Sequence, residues 1–335
     1  MRYFCIGKPT GIDALEGKEK DVPRPGAGQV LVRIRAASLN YRDLMVIEGN
    51  YSPNLPLPLV PLSDGAGEVV EAGEGISRWR AGDRVAGTFF RDWEAGSIPE
   101  DATRNALGGS IDGVLSEYAL FGERGLVALP PGLSFEEGAT LPCAALTAWN
   151  ALRSGSLHCG QSVLTLGTGG VSIFALQFAV AEGARVIATT GSEGKMEKLR
   201  KLGAGDVINY KAEPNWETRV WDLTGRRGVD HVVEVGGAET MKKSLKAVRV
   251  GGHISLIGVL SGNAGEVNPL PVLMKGIRIQ GIYVGARETF VEMLRAIGMH
   301  GMRPVIDRVF PFLEAKEAYR YLKSGAHFGK VVISV

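Results

Sequence analysis

Hydrophobic and polar positions along the chain fall into two textures. From residue 1 to about 120 the apolar residues come in short runs broken by turn residues. Examples are QVLVRIRAASL (29–39), GAGEVVEAG (65–73), DRVAGTFF (83–90) and SEYALF (116–121). Such spacing predicts short strands of an antiparallel or barrel-like domain. PNLPLPLVPL (53–62) holds four prolines and is predicted to be an extended arm, because proline removes a donor and fixes φ.

From 124 to 286 apolar runs alternate with helical pieces. SVLTLG (162–167), ARVIATTG (184–191), DVINY (206–210), VDHVVEVGG (229–237), GGHISLIGVL (251–260) and IRIQGIYVG (277–285) read as buried strands. Between them lie a helix reaching Glu182, KMEKLRKLG ending at Gly203, and ETMKKSLKAV. This alternation predicts βαβ units and a parallel sheet. The tail, 287–335, reads as two helices and a final strand, GKVVISV.

A chain of 335 residues exceeds the usual single domain, so two domains are expected. The formal net charge is +2 with no basic run, which argues against nucleic acid and anionic membrane as partners. Residues 154–181 carry no Asp, Glu, Lys or Arg, but the glycine turn, Gln161 and Gln177 suit a buried strand–turn–helix rather than a membrane span. The N-terminus lacks the apolar core of a signal peptide. Three scattered cysteines, Cys5, Cys143 and Cys159, make no disulfide framework, so a cytoplasmic location is expected.

The stretch VLTLGTGGVS (163–172) carries the clearest chemistry. A glycine turn leaving a strand and opening a helix cradles a pyrophosphate, with the helix N-terminus supplying N–H groups and partial positive charge. Gly167, Thr168, Gly169, Gly170 and Val171 fill that turn, and Ser172 stands at the last glycine position. The next strand ends in Thr190 and Gly191, where an NAD site usually has an acid. Ser192 and Lys195 offer a hydroxyl and a cation to a 2′-phosphate, and Tyr210 can pack beside it. This pattern favours NADP(H) over NAD.

At this point the chain resembles the medium-chain dehydrogenase/reductase superfamily, in particular its zinc-independent alcohol dehydrogenase-like and quinone oxidoreductase-like members. The markers are PGAGQVLVRIRAASLNYRD, PLSDGAGEVVEAGEG, GDRVAG, DGVLSEYA, TLPCAALTAWNAL, LGTGGVS and FGKVVISV, and they run nearly the whole chain. The resemblance implies an α/β fold: a Rossmann-type doubly wound parallel sheet (124–286) inserted into a GroES-like β-rich catalytic domain (1–123 and 287–335). It places the active site in the cleft. It also implies cofactor contacts at Thr147, Gly236, Gly258, Val259, Val284, Gly285, Gly329 and Lys330.

The departures from the family pattern matter as much. Zinc-dependent relatives have a Cys ligand where this chain has Asn40, and a His ligand where it has Ser63; only Cys143 matches a ligand position. The segment 89–113, expected to bind structural zinc, has no cysteine. No metal is therefore expected, and a zinc-type label on such a chain would reflect family naming. Cys143 reads as a buried relic rather than a nucleophile, and Asp43 and Asp64 as structural partners. Asn40 is the candidate donor to a developing oxyanion. Tyr41 and Tyr51 are phenols placed to orient substrate or give a proton, with plain packing an equal reading for Tyr51.

Without a Lewis acid, substrates that delocalise their own charge are favoured. The expected activity is NADPH-dependent hydride transfer to a quinone or α,β-unsaturated carbonyl, a small electrophile. The alternatives are an alcohol dehydrogenase or carbonyl reductase, and a low-turnover NADPH-binding sensor or structural protein. The apolar edge from Ile277 to Val284 predicts a homodimer by strand pairing.

Overall fold

The computed structural model describes residues 1–262 and 264–335. It divides into two compact units, Met1–Leu146 with Val284–Val335, and Thr147–Tyr283. The boundaries lie later than 123/124 and slightly earlier than 286/287. The strand Leu126–Ala128 pairs antiparallel with Arg84–Gly87, which ties the segment after residue 123 to the β-rich unit.

In chain order the strands are β1 (Arg2–Ile6), β2 (Leu15–Glu19), β3 (Gln29–Leu39), β4 (Asp64–Ala72), β5 (Arg84–Gly87), β6 (Tyr118–Gly122), β7 (Leu126–Ala128) and β8 (Ser162–Thr165). They continue with β9 (Arg185–Thr190), β10 (Asp206–Asn209), β11 (Val229–Glu234), β12 (Val248–Leu256), β13 (Arg278–Gly281), β14 (Ile306–Pro311) and β15 (Lys330–Ser334). Four helices matter to the site: α1 (Tyr41–Ile47), α2 (Gly170–Ala181), α3 (Glu193–Lys201) and α4 (Ala315–Lys323).

The β-rich unit is built on a seven-stranded sheet in the order β14-β15-β3-β4-β5-β7, with β6 also paired to β3. Strand β3 alternates well enough to bury Val30, Val32 and Ile34. Its far end, Ala36 to Leu39, is buried throughout because β15 and β4 flank it on both edges. Leu39, Leu44, Ile47, Leu62, Tyr319, Val331 and Ile333 belong to one core. Chain segments almost 300 residues apart thus share a single apolar interior.

The other unit holds a six-stranded sheet in the order β10-β9-β8-β11-β12-β13, parallel at every pairing. The chain enters at β8, builds outward through β9 and β10, then returns to β11 beside β8. That reversal is the switch point of a doubly wound sheet, outside whose strand ends ligands bind. The central strands β8, β9 and β11 are largely buried and β-branched-rich, as parallel strands covered on both faces must be. The charge-free helix α2 buries Ile173, Phe174, Leu176 and Phe178, so the uncharged stretch is a core helix. No helix of the described residues is long and apolar enough to cross a membrane.

Two features differ from the sequence reading. Strand β14 lies in the tail, where only helices and a last strand are expected; its exposed Arg308 and Val309 break the alternation. Strand β13 covers only Arg278–Gly281, all exposed at the sheet edge, rather than the run to Val284. Ile282 and Val284 are buried, and Val284 has a left-handed φ of 58°, where a β-branched residue cannot extend a strand.

Two histidines are buried on neighbouring strands of this sheet, with ring centroids 5.8 Å apart. His231 Nε2 meets Gln161 Oε1 at 3.1 Å, and both Nδ1 atoms lack a partner among the described residues. Burial, then the neighbouring His253, lowers the His231 pKa from 6.5 to about 4; burial also lowers His253. The folded state therefore resists a proton that the unfolded chain accepts. Stability is full above pH 6.5 and falls as pH drops toward 4, by on the order of 3 kcal/mol for His231. Urea unfolding at pH 7 and 4.5 should show this loss, and His231→Gln should shrink it; a loss unchanged in His231→Gln would contradict the assignment.

Candidate active site

The β-rich unit gathers a polar cluster around the start of α1. Asn40 is the N-cap of that helix, with extended backbone (φ −126°, ψ 159°). Asp43, at the third helical position, accepts from the Asn40 backbone N–H at 2.7 Å, one of the orphan donors of a helix start. Asp43 also faces Arg42 Nη2 at 3.4 Å. Burial raises the Asp43 pKa above its usual value, although Arg42 and the Asn40 N–H oppose it. Burial lowers Arg42, but Asp43, Tyr51 and Cys143 together outweigh it and hold that pKa above its ordinary value. Arg42 donates further to the Leu107 carbonyl at 2.6 Å and lies over the Tyr51 and Phe89 rings, 5.3 and 4.6 Å from their centroids.

Asp64 is fully buried. Its Oδ1 accepts from Ser63 Oγ at 2.7 Å and its Oδ2 from the Cys143 N–H at 3.0 Å. The preceding Leu62 is held at φ 71° by close backbone: a Cβ at Gly113 would lie 2.0 Å from the Leu62 oxygen. Such a leucine stores on the order of 1–2 kcal/mol of strain. Burial, then the charge of Asp64, pushes the Cys143 thiol up from its ordinary pKa, so it stays protonated and a poor nucleophile.

Lys330 completes the cluster. Pairing of β15 with β3 sets Val331 opposite Leu39, which brings the preceding Lys330 to Asn40. The Lys330 Nζ donates to the Leu39 carbonyl at 2.5 Å and to Asn40 Oδ1 at 2.6 Å. Its burial lowers its pKa, against the opposing pull of Asp64, Cys143 and Asp43. Lysine only donates, so the Asn40 oxygen must face it and Nδ2 turns away. That Nδ2 is buried and has no partner among the described residues. Tyr41 is half exposed beside Asn40, and Tyr51 lies against Arg42. Gly329 has φ 85°, and a Cβ there would lie 2.3 Å from the Val305 oxygen, so strand packing alone demands a glycine. In the same unit Gly285 packs against Leu146.

In the parallel-sheet unit β8 ends at the predicted turn. Gly167 has φ 75°, and a Cβ at Gly167 or Gly169 would meet nothing within 4 Å. Gly169 is the N-cap of α2 and no side chain caps that helix. Ser172 Oγ donates to the Leu166 carbonyl at 2.6 Å, pinning helix to strand end where a third glycine would only allow close packing. A glycine cradle at an uncapped helix start fits a dinucleotide pyrophosphate. Thr168 is buried there and Val171 half-buried. The sequence reading missed Thr189, whose Oγ1 accepts from the Gly167 N–H at 3.2 Å. At the end of β9 Thr190 Oγ1 accepts from the Ser192 N–H at 3.2 Å. Tyr210 stacks closely on Gly191, where a Cβ would lie 2.5 Å from its hydroxyl. Lys195 stands in the first turn of α3. Thr147 is buried at the start of this unit. Gly236 does not offer its N–H freely, since it donates to Glu234 Oε1 at 2.8 Å. Gly258 is pressed against the Val235 backbone, and Val259 is exposed.

A doubly wound sheet with this turn, joined in one chain to a β-rich unit carrying a buried amide–ammonium pair, defines a dinucleotide-dependent oxidoreductase. Residues 26–131 match the family model of the alcohol dehydrogenase GroES-like domain, and residues 170–298 that of the zinc-binding dehydrogenase. A zinc-type alcohol dehydrogenase-like protein of Schizosaccharomyces pombe is 44% identical over 343 residues, covering 100% of this chain and 99% of the relative. A solved NAD-dependent alcohol dehydrogenase is similar at TM-score 0.91 and 35% identity, over 100% of both chains. Quinone oxidoreductase of Escherichia coli, solved with NADPH, is similar at TM-score 0.85 and 25% identity, again over 100% of both chains. The chain belongs to the medium-chain dehydrogenase/reductase superfamily, whose members are NAD(P)-dependent oxidoreductases.

The Arg42–Asp43 pair gives a direct test of the cluster. Asp43→Ala should cost about 3–5 kcal/mol, because it strands a buried guanidinium and an N-terminal N–H. Denaturant unfolding measures this; a loss below about 1 kcal/mol would mean that water or another group already serves Arg42.

Proposed function

We propose that the protein is a zinc-independent, NADPH-dependent reductase of quinones or α,β-unsaturated carbonyls. The observation that carries the reading is the unpartnered, buried Nδ2 of Asn40, an amide whose Oδ1 accepts from Lys330. Bound NADPH supplies the hydride. On the chain's side, Asn40 Nδ2 donates to the substrate oxygen as that oxygen gains charge, and a preorganised donor of this kind is worth about 10²–10³ in kcat. Hydride added to carbon leaves one proton to be taken up at oxygen or the α-carbon; half-exposed Tyr41 and solvent are the donors at hand.

The donor set does not suit a catalytic zinc ion, which needs three protein ligands of the Cys, His or carboxylate kind. Asn40 and Ser63 are poor ligands, Cys143 is a single thiol, and the Lys330 ammonium sits on the Asn40 oxygen. Among the described residues no group of three His, Cys, Asp or Glu side chains is placed to hold a metal. A conjugated acceptor spreads the incoming charge by itself, so hydrogen bonds suffice. Ser192, Lys195 and the lack of an acid at Thr190 and Gly191, with Glu193 coming only later, support NADPH over NADH. The similarity to the quinone oxidoreductase supports a quinone as acceptor, while the cofactor preference rests on the residues after Thr190 alone. Three unpaired cysteines support a reducing, cytoplasmic setting. The exposed edge β13, with Leu273 and Met274 also exposed nearby in the chain, supports a homodimer through edge-to-edge strand pairing.

Loss of NADPH absorbance should be followed against a small quinone, an enone, a 2-alkenal and a saturated ketone, with and without a chelator. Turnover of the conjugated acceptors, at least 10-fold slower with NADH and unchanged by chelator, is expected; Asn40→Ala should lower kcat about 100-fold. Turnover of the ketone alone, or loss of activity with chelator, would overturn the reading. Light scattering should give twice the chain mass, and a strictly monomeric species would refute the dimer.

A further inference from the structure

Lys330 is a buried ammonium, 3% exposed, and its hydrogen-bond acceptors among the described residues are both neutral oxygens, Leu39 O and Asn40 Oδ1. The two nearby carboxylates are already committed. Asp43 takes the Asn40 N–H and Arg42, and Asp64 takes Ser63 and the Cys143 N–H. A buried lysine commonly bonds a carboxylate directly. This one instead directs its charge onto the amide whose other end is an orphan donor. A cation on the oxygen of an amide withdraws electron density from its nitrogen, and hydrogen bonds linked through one group strengthen each other.

We propose that Lys330 is a positioning residue that acts on substrate through Asn40. It locks the amide with Nδ2 as the presented donor, and it polarises that N–H toward the substrate oxygen that gains charge. In this role a covalently tethered ammonium supplies positive charge beside the reacting oxygen. The proposal rests on the functional reading above and extends it to a residue 290 positions from Asn40 in sequence.

The test is a double-mutant cycle on the full-length protein with Lys330→Met, Asn40→Ala and the combined variant. It reads kcat, KM for an enone, and the dissociation constant of NADPH. Each single variant should lower kcat about 10- to 100-fold, with KM and NADPH affinity changed by less than about 3-fold. The combined variant should be no slower than Asn40→Ala, because Lys330 has nothing left to act through. Additive losses would overturn the proposal. So would a loss confined to NADPH affinity, which would place Lys330 on the dinucleotide. Lys330→Gln keeps a donor without the charge, and replaces Lys330→Met in the cycle if the latter does not fold. A second readout needs no turnover: the side-chain amide resonance of Asn40, identified by its loss in Asn40→Ala, should shift in Lys330→Gln without any ligand. An unmoved resonance would also overturn the proposal. If only a saturated ketone is reduced, the substrate reading fails while the cycle, run with that ketone, still decides the role of Lys330.

Discussion

The pairing of the last strand with the third is the constraint on which the site depends. Antiparallel register sets Val331 against Leu39 and Ile333 against Ala37, and that pairing fixes which residue faces Asn40. Val331, Val332 and Ile333 are all buried, and a slip of one position would carry Lys330 off its contact with Asn40. The core therefore enforces the Lys330–Asn40 contact as a by-product of burying valines and isoleucines. Polar geometry that is set by apolar register is rigid, which is what a preorganised donor requires.

The same logic holds within the first turn of α1. Asp43 caps the backbone of Asn40 while pairing with Arg42, so the residue that presents the amide is fixed by its main chain as well as its side chain. Arg42 is in turn braced by the Leu107 carbonyl and the Tyr51 and Phe89 rings. Tyr51, read from sequence as either packing aromatic or substrate phenol, contributes at least the first of these. The charges of Arg42 and Lys330 balance those of Asp43 and Asp64, and the thiol of Cys143 stays neutral among them.

Much of the architecture was legible in the sequence. Short buried runs alternating with helices gave away the parallel sheet, and one glycine turn marked its switch point, because local periodicity and turn chemistry report directly on elements a few residues long. Strand β14 was missed since exposed Arg308 and Val309 spoil its alternation. The edge strand was drawn too long because Ile282 and Val284 look like strand residues, yet they are buried after the chain has turned out of β conformation. The site was legible in part. Asn40, the glycine cradle and the loop at 190–195 could be named from their neighbours in sequence. The Lys330–Asn40 bond could not, because it depends on the register between two strands almost 300 residues apart. Thr189 escaped for a smaller reason: a threonine in a β-strand looks like a strand former until its hydroxyl is seen under the turn.

In the function we propose, a fixed amide backed by an ammonium does what a metal would otherwise do beside the substrate oxygen. A crystal structure of the protein with NADPH and a slow conjugated ketone, grown with zinc in the medium, tests it most directly. The account predicts the ketone oxygen at about 2.7–3.1 Å from Asn40 Nδ2, with Lys330 still on the Asn40 oxygen and no metal density beside Cys143. A zinc ion bound by Cys143 and Asp64 with Lys330 displaced would contradict it.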